Sequence, residues 1–124
     1  MKIVIPAEEK SLESNVCESF GRTPYFLLYD TETKESLFID NAAASSPGGA
    51  GIKAAQMIVD QRVNALLVTR LGENAAGLLK SADIQIYKIS KALVRDNIEA
   101  YTAGELSLLS EFHAGLHGRG EATK

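Results

Sequence analysis

This sequence has little of several features that mark specialised proteins. It holds one cysteine, Cys17, among its 124 residues, so no internal disulfide can form, and a reducing, cytoplasmic setting is expected. It has no uninterrupted apolar run of the roughly 18 residues that suggest a membrane-spanning helix, so no membrane span is predicted. The apolar run at residues 3–5 is also too short for a secretory signal, and none is expected.

The charge balance excludes another group of partners. The net charge is −3, so there is no excess of positive charge to bind nucleic acid or an anionic membrane. The 45% of hydrophobic and 23% of charged residues are typical of a globular protein, and the length suits one domain with its own core. We expect this domain to occupy residues 1–110, followed by a flexible tail, 111–124, that ends in a glycine-containing stretch without periodicity.

The apolar pattern predicts three strands followed by alternating helices and strands. The predicted strands cover residues 2–6, 25–30, 36–40, 64–69 and 84–89. Helices are predicted after Ser46-Pro47, after Gly72 and from about residue 91 to 101. Residues 105–112 are predicted to be a docked tail or a short helix. The buried stripe of the first helix is predicted to consist of Ile52, Ala54, Ala55, Ile58 and Val59, and that of the second of Ala75, Leu78, Leu79 and Ala82.

The order β-β-β-α-β-α-β-α defines an α/β fold. The short loop between the second and third strands fits an antiparallel hairpin, and strands joined through helices must be parallel with right-handed crossovers. Helices on both faces then give a three-layer α/β/α architecture with a five-stranded mixed sheet. Ligands bind such sheets at the carboxyl ends of the parallel strands, where the loops after residues 2–6 and 64–69 should lie. The glycine-rich turn at residues 47–51 joins them if the third strand runs parallel to the first.

A glycine motif, Gly49-x-Gly51, opens the first predicted helix. Together with the residues that follow, it matches G-x-G-x-x-A, part of a dinucleotide-binding pattern, but Thr69 and Arg70 stand where that fold needs an acidic residue. Two interpretations remain. The turn either packs the helix closely against the sheet, or presents backbone N–H groups to an anionic ligand.

Other chemistries lack the residues that they require. A two-metal nuclease needs converging carboxylates, including one on the first strand, which carries none. His113 and His117 could share one face of a helix as metal ligands, but Gly115 lies between them, so we interpret them as an accidental pair in the tail. No G-x-S-x-G motif is present and no base lies near Cys17 in sequence, so a hydrolase is not predicted. The chain is therefore predicted not to be an enzyme.

Cys17 has two possible roles. It lies in a polar loop close to Arg22, which favours the thiolate, a soft ligand for iron and iron–sulfur species. One cysteine cannot hold a cluster alone, because iron–sulfur clusters normally take four ligands. Cys17 is thus either a metal ligand or an ordinary loop residue.

Taken in order, the motifs resemble a known family. Ser14-x-Val16, Phe20-Gly21-Arg22 before an aromatic strand, Gly49-x-Gly51 and Tyr101-x-x-Gly104-x-Leu106 are typical of the dinitrogenase iron–molybdenum cofactor biosynthesis family, the small nitrogenase accessory-factor-like domains. The resemblance covers about residues 1–110. It implies a ribonuclease H-like fold without nuclease activity, and a role in carrying an iron–sulfur or iron–molybdenum-type cluster.

The resemblance also implies a binding surface. Its residues would be Ser19, Phe20, Gly21, Arg22, Gly49, Gly51 and Gly72, with Cys17 as a direct metal ligand. Arg22 would pair with an anionic cluster or its organic acid part. The family often has histidine where this chain has Ser19, and many members carry histidine in the turn where this chain has Ser46 and Pro47.

Three functions are therefore compatible with the sequence. The first is a non-enzymatic carrier, a monomer or weak homodimer, that receives a cluster from a donor protein and passes it to an acceptor protein. The second is a protein-interaction or regulatory domain that kept the fold and lost the cluster site, as the missing histidines favour. The third, an enzyme acting on a phosphorylated metabolite, is the weakest because no general base is identifiable.

Overall fold

A central sheet with helices on both faces accounts for the part of the chain that the computed structural model describes, residues 1–113. The strands are β1 (Lys2–Ala7), β2 (Tyr25–Asp30), β3 (Ser36–Asp40), β4 (Ala65–Val68) and β5 (Gln85–Lys88). The helices are α1 (Ala50–Asp60), α2 (Glu73–Ser81) and α3 (Val94–Thr102), and a short 3₁₀ helix covers Ala42–Ser45. The predicted order of elements and the three-layer α/β/α architecture are confirmed.

The five strands lie in the order β3-β2-β1-β4-β5. β1 pairs antiparallel with β2, placing Lys2 opposite Asp30, and β2 pairs antiparallel with β3. β4 lies parallel to both β1 and β5. The predicted hairpin and mixed sheet are therefore confirmed. None of the helices within residues 1–113 is long and apolar enough to cross a membrane.

The sheet buries both of its faces. α1 and α2 cover one face, where Val4 and Leu66 belong to one apolar cluster. α3 covers the other face, where Ile3 and Leu67 belong to a second cluster. Every residue of β4 is buried, which explains its uninterrupted apolar sequence. Alternate residues of the central strands thus form two separate cores.

Two predicted core positions are wrong. Ile52 is 42% exposed, and Ala82, which follows the end of α2, is exposed as well. α1 begins at Ala50 and buries Ala50, Ala54, Ala55 and Ile58. Because a helix turns about 100° per residue, Ile52 lies on the side opposite Ala50 and Ala54 and cannot share their face.

The third helix begins later than predicted, and the segment after it is extended. α3 starts at Val94 because the side chain of Asn97 holds residues 90–93 in a loop. Beyond α3, Lys88 N–H donates to the Ser107 carbonyl at 2.8 Å and Leu109 N–H donates to that of Ile86 at 2.9 Å. Residues 105–112 are therefore a docked tail, whose pairing covers the outer edge of β5.

Two residues of the predicted tail 111–124, Phe112 and His113, lie against the domain. Phe112 packs on the core beneath α1 and α2, with Lys80 Nζ 4.1 Å from its ring centroid. His113 lies beside Gly72. The rest of the predicted tail, residues 114–124 with His117, falls outside the described residues.

Candidate functional site

The sheet topology gathers the predicted site segments at one edge. β3 is antiparallel to β2 and β2 to β1, so β3 runs parallel to β1 and β4. The loops after these three strands therefore leave the same edge, which we call the carboxyl edge. α1 and α2 both begin there and pack against the same face of the sheet. The condition for the glycine-rich turn to join the site is met.

The turn of residues 19–22 is closed by its own side chains. Ser19 Oγ accepts a hydrogen bond from Arg22 N–H at 3.1 Å. Phe20 is buried in the core, where its ring centroid is 5.4 Å from that of Phe26. Ser19 and Phe20 therefore fix the position of the turn, and Phe20 does so from inside the core.

Gly21 brings the turn into direct contact with the start of α1. A Cβ atom placed on Gly21 would lie 2.8 Å from the nitrogen and 3.0 Å from the Cα of Gly51, and 3.1 Å from the carbonyl carbon of Ala50. Only a residue without a side chain allows the two backbones to approach this closely. The two motifs, 30 residues apart in sequence, are therefore neighbours in the fold.

Asn41, which the sequence analysis missed, ties these loops together. Its Nδ2 donates to the carbonyls of Gly21 at 3.0 Å and Thr23 at 2.9 Å, and its Oδ1 accepts from Ala43 N–H at 3.0 Å. Asn41 is also the N-cap of the 3₁₀ helix. An asparagine immediately before Ala-Ala-Ala is a capping signal that could have identified it.

Arg22 is partly engaged by the same loops. Its Nη1 donates to the carbonyls of Ala44 at 2.8 Å and Ser46 at 2.7 Å. Its Nε and Nη2 have no partner among residues 1–113, and the side chain is exposed. Arg22 thus braces the 41–46 loop and keeps donors available for an anion.

The start of α1 is open and electropositive. Gly49 precedes the helix with φ of 70°, and no side chain caps this end. The first turn contains no acidic residue that would compensate the helix dipole. A Cβ atom on Gly48, Gly49 or Gly51 would meet nothing within 4 Å. A ligand can therefore approach Gly48 and Gly49 closely, whereas the nitrogen of Gly51 lies against Gly21.

The start of α2 differs because His113, directly after the docked tail, covers it. Glu73 N–H donates to the carbonyl of His113 at 2.9 Å, and His113 N–H donates to that of Leu71 at 3.2 Å. The imidazole lies against Gly72, where an added Cβ would be 3.2 Å from its Cε1 atom. No local pattern in the sequence signals this contact, because it joins residues about 40 positions apart.

Cys17 lies in the loop that follows β1, at the carboxyl edge. Its N–H donates to the Pro6 carbonyl at 3.1 Å, and its side chain is half-buried with a free thiol. The loop is shaped by Ser14, whose Oγ accepts from the N–H groups of Glu8 and Glu9 at 3.1 and 3.0 Å. Within residues 1–113, no three His, Cys, Asp or Glu side chains converge as metal ligands would.

Within residues 1–113, the two groups with shifted pKa values lie at the end of the sheet opposite the carboxyl edge. Hydrogen bonds from the backbone of Glu32 and Thr33 lower the pKa of Asp30. Burial raises the pKa of Tyr101, which stacks edge-on against Tyr87. Neither side chain lies at the carboxyl edge, so these shifts give no indication of proton transfer chemistry there.

Comparison with known proteins gives a consistent relationship. The family model described as dinitrogenase iron-molybdenum cofactor matches residues 1–104. An uncharacterized protein of Methanocaldococcus jannaschii is 28% identical over 109 residues, covering 86% of this chain and 89% of that protein.

Solved structures agree with this match. The apo form of the orange protein from Desulfovibrio gigas superimposes with a TM-score of 0.83 at 28% identity, covering 88% of this chain and 92% of that chain. A proposed NifB protein from Thermotoga superimposes with a TM-score of 0.77 at 33% identity, covering 90% and 95% of the two chains.

Proposed function

The chain belongs to the dinitrogenase iron-molybdenum cofactor family, and on this premise we propose that it is a non-enzymatic carrier of an anionic metal–sulfur cluster. The cluster is its cargo, which it takes from a donor protein and gives to an acceptor protein. The setting is the cytoplasm, where a free thiol stays reduced. The relationship to the orange protein and to a proposed NifB protein supports a carrier of this kind.

The open start of α1 is the observation that carries the proposal. Backbone N–H groups at a helix start, next to glycines with free space around them, form a site for negative charge. The Nε and Nη2 groups of Arg22 add charged donors beside the same turn. These groups attract negative charge, as a carrier of an anionic cluster requires.

Of the site residues predicted from the sequence, Cys17 is the one to which we assign a bond to the metal. A half-buried thiol at the carboxyl edge suits a soft metal. Because no metal-binding cluster of side chains converges within residues 1–113, most of the attraction comes from charge and backbone N–H groups. Cargo held in this way can be released without breaking several metal–ligand bonds, which suits transfer between proteins.

We expect Cys17→Ala to lose the metal without losing the fold. The loop is held through the backbone of Cys17 and the hydroxyl of Ser14, which the substitution leaves in place. The measurement is iron and sulfide content, with a visible spectrum, after anaerobic incubation with ferrous iron and sulfide. The wild type should bind stoichiometric iron with charge-transfer absorption, and the variant should lack both.

Cys17→Ser serves as the matched variant, because it keeps nearly the same side-chain volume and removes only the soft donor. It should fail as Cys17→Ala does. Full iron binding by either variant would refute ligation by the thiol, and a colourless, iron-free wild type would refute the carrier proposal itself.

We expect Ile52→Glu to separate anion binding from stability. Ile52 is exposed in the first turn of α1, so a carboxylate there should stabilise the helix by about 0.3–1 kcal/mol and repel an anionic cluster. The thermal midpoint should rise while iron loading falls several-fold. Gln85→Glu is the control, since it makes the same charge change on an exposed residue at the opposite edge of the sheet. Equal loading by Ile52→Glu and wild type would exclude the start of α1 as the anion site.

The alternative is a protein-interaction or regulatory domain with the same fold. One feature favours it: Ser19, which stands where the family often has histidine, uses its hydroxyl to close the turn. Under this alternative the purified protein binds no iron, and Cys17→Ala leaves binding to its protein partner unchanged.

A further inference from the structure

The two outermost strands of the sheet, β5 and β3, are protected differently along their outer sides. Residues 107–109 cover the outer edge of β5. β3 forms the other edge, and nothing within residues 1–113 pairs with its outer side. Natural edge strands usually carry a proline, a bulge or an inward-facing charge that prevents further pairing. Ser36–Asp40 contains no proline and no residue with positive φ, and its single charged residue is the last one.

The ladder between β2 and β3 identifies which backbone groups of β3 point outward. Asp30 N–H donates to the Glu35 carbonyl, and Asn41 N–H donates to that of Pro24. Residues 35 and 41 therefore turn their backbone groups toward β2, and by alternation so do residues 37 and 39. The N–H and C=O groups of Ser36, Phe38 and Asp40 are left facing away from the sheet.

We propose that this edge binds the same edge of a second copy of the chain, antiparallel and with Phe38 opposite Phe38. In that register Ser36 lies opposite Asp40 of the second copy, so every outward N–H and C=O of β3 gains a partner. The sequence Ser-Leu-Phe-Ile-Asp has the same polar, apolar and aromatic pattern in both directions. A two-fold symmetric pair needs such a self-complementary strand.

The side chains fit this pairing. Leu37, which is 60% exposed, would lie opposite Ile39 of the second copy. These residues are opposite Leu28 and Phe26 in the ladder, and thus on the face covered by α1 and α2. The contact would extend that apolar layer across the junction. Asp40 would lie opposite the hydroxyl-bearing Ser36, so no like charges face each other.

The ends of β3 fix the register. A shift of the pairing by two residues would bring Lys34, with φ of 64°, or Ala42, in the 3₁₀ helix, into the ladder. Neither residue has the extended backbone that pairing requires. The register centred on Phe38 is the one that uses all three outward-facing residues. The resulting dimer would leave the carboxyl edge of each copy outside the junction.

Amide hydrogen exchange at low and at about millimolar concentration tests the proposal, together with the mass from sedimentation equilibrium. The mass should double at high concentration. The amides of Ser36, Phe38 and Asp40 should gain protection in step with it, whereas those of Leu37 and Ile39 should be protected at both concentrations. A monomer at millimolar concentration would overturn the proposal. The outer side of β3 would then be available to a strand of a different protein. A dimer without this alternating pattern would also overturn it.

A pair of matched variants identifies the edge. Leu37→Lys should lose the dimer, because it places charge in the apolar contact. Leu108→Lys makes the same change at a similarly exposed leucine, 57% against 60%, on the covered edge, and should leave the dimer intact. Phe38→Pro should also abolish it, since this amide faces outward and the ladder with β2 does not need it. Equal dimerisation by Leu37→Lys and wild type would refute the assigned edge.

Discussion

Replacing Gly21 by alanine is expected to lower the free energy of unfolding by about 2 kcal/mol. The new Cβ would lie 2.8 Å from the backbone nitrogen of Gly51, and the other nearest atoms, in Gly51 and Ala50, also belong to the backbone. Backbone atoms cannot move aside as the end of a flexible side chain can. The 19–22 turn must therefore separate from the start of α1, which stretches the hydrogen bond from Asn41 to the Gly21 carbonyl.

Gly51→Ala is the matched control, because it adds the same methyl group on the other side of the same contact. A Cβ on Gly51 meets nothing within 4 Å, and Gly51 has a helical backbone. Removing a helical glycine should raise stability by about 0.5–1 kcal/mol. Urea unfolding of the two variants measures the difference. Equal effects of the same sign would contradict the close approach of Gly21 to α1.

Asn97→Ala is expected to lower the free energy of unfolding by about 3 kcal/mol, because several buried polar groups lose their partners at once. Asn97 is fully buried. Its Oδ1 accepts from the N–H groups of Ser90 and Lys91 at 3.0 and 3.1 Å, and its Nδ2 donates to the carbonyls of Lys91 and Leu93 at 2.9 and 2.8 Å. Water reaches this position poorly and cannot fully replace these bonds.

Asn74→Ala provides the comparison for Asn97. Asn74 is exposed in the first turn of α2, so its substitution should change stability by less than about 0.5 kcal/mol. Thermal or urea unfolding, followed by circular dichroism, measures both variants. A loss for Asn97→Ala no larger than that for Asn74→Ala would mean that the loop at residues 90–93 does not depend on this side chain.

The loss at Asn97 should extend to the loop that carries Cys17. Val16 N–H donates to the Ala92 carbonyl, and Val94 N–H donates to that of Ser14. The segment that Asn97 holds is therefore paired with the loop after β1. Buried asparagines at residues 41 and 97 thus stabilise the two groups of loops that form the carboxyl edge.

The elements that the sequence predicted well are those with a strong local signal. β4 is apolar at every position because both of its faces are covered. β2 and β3 are joined by a short polar turn, which is typical of a hairpin. The buried stripe of α1 has a weaker local signal. Ile52 fits the spacing of an apolar stripe with Ala55 and Val59. The helix, however, begins directly after Gly49, which has a left-handed backbone, and it turns Ala50 and Ala54 toward the sheet. Local spacing alone does not choose between the two stripes.

The sequence by itself determined the α/β class, the order of the elements and the two glycine motifs, because hydrophobic periodicity and turn residues act over a few positions. Only the tertiary structure decided that Gly21 touches Gly51, that Asn41 joins their loops and that His113 covers the start of α2. These contacts join residues 20 to 41 positions apart. They depend on how parallel strands bring separate loops to one edge, and no local pattern encodes that distance.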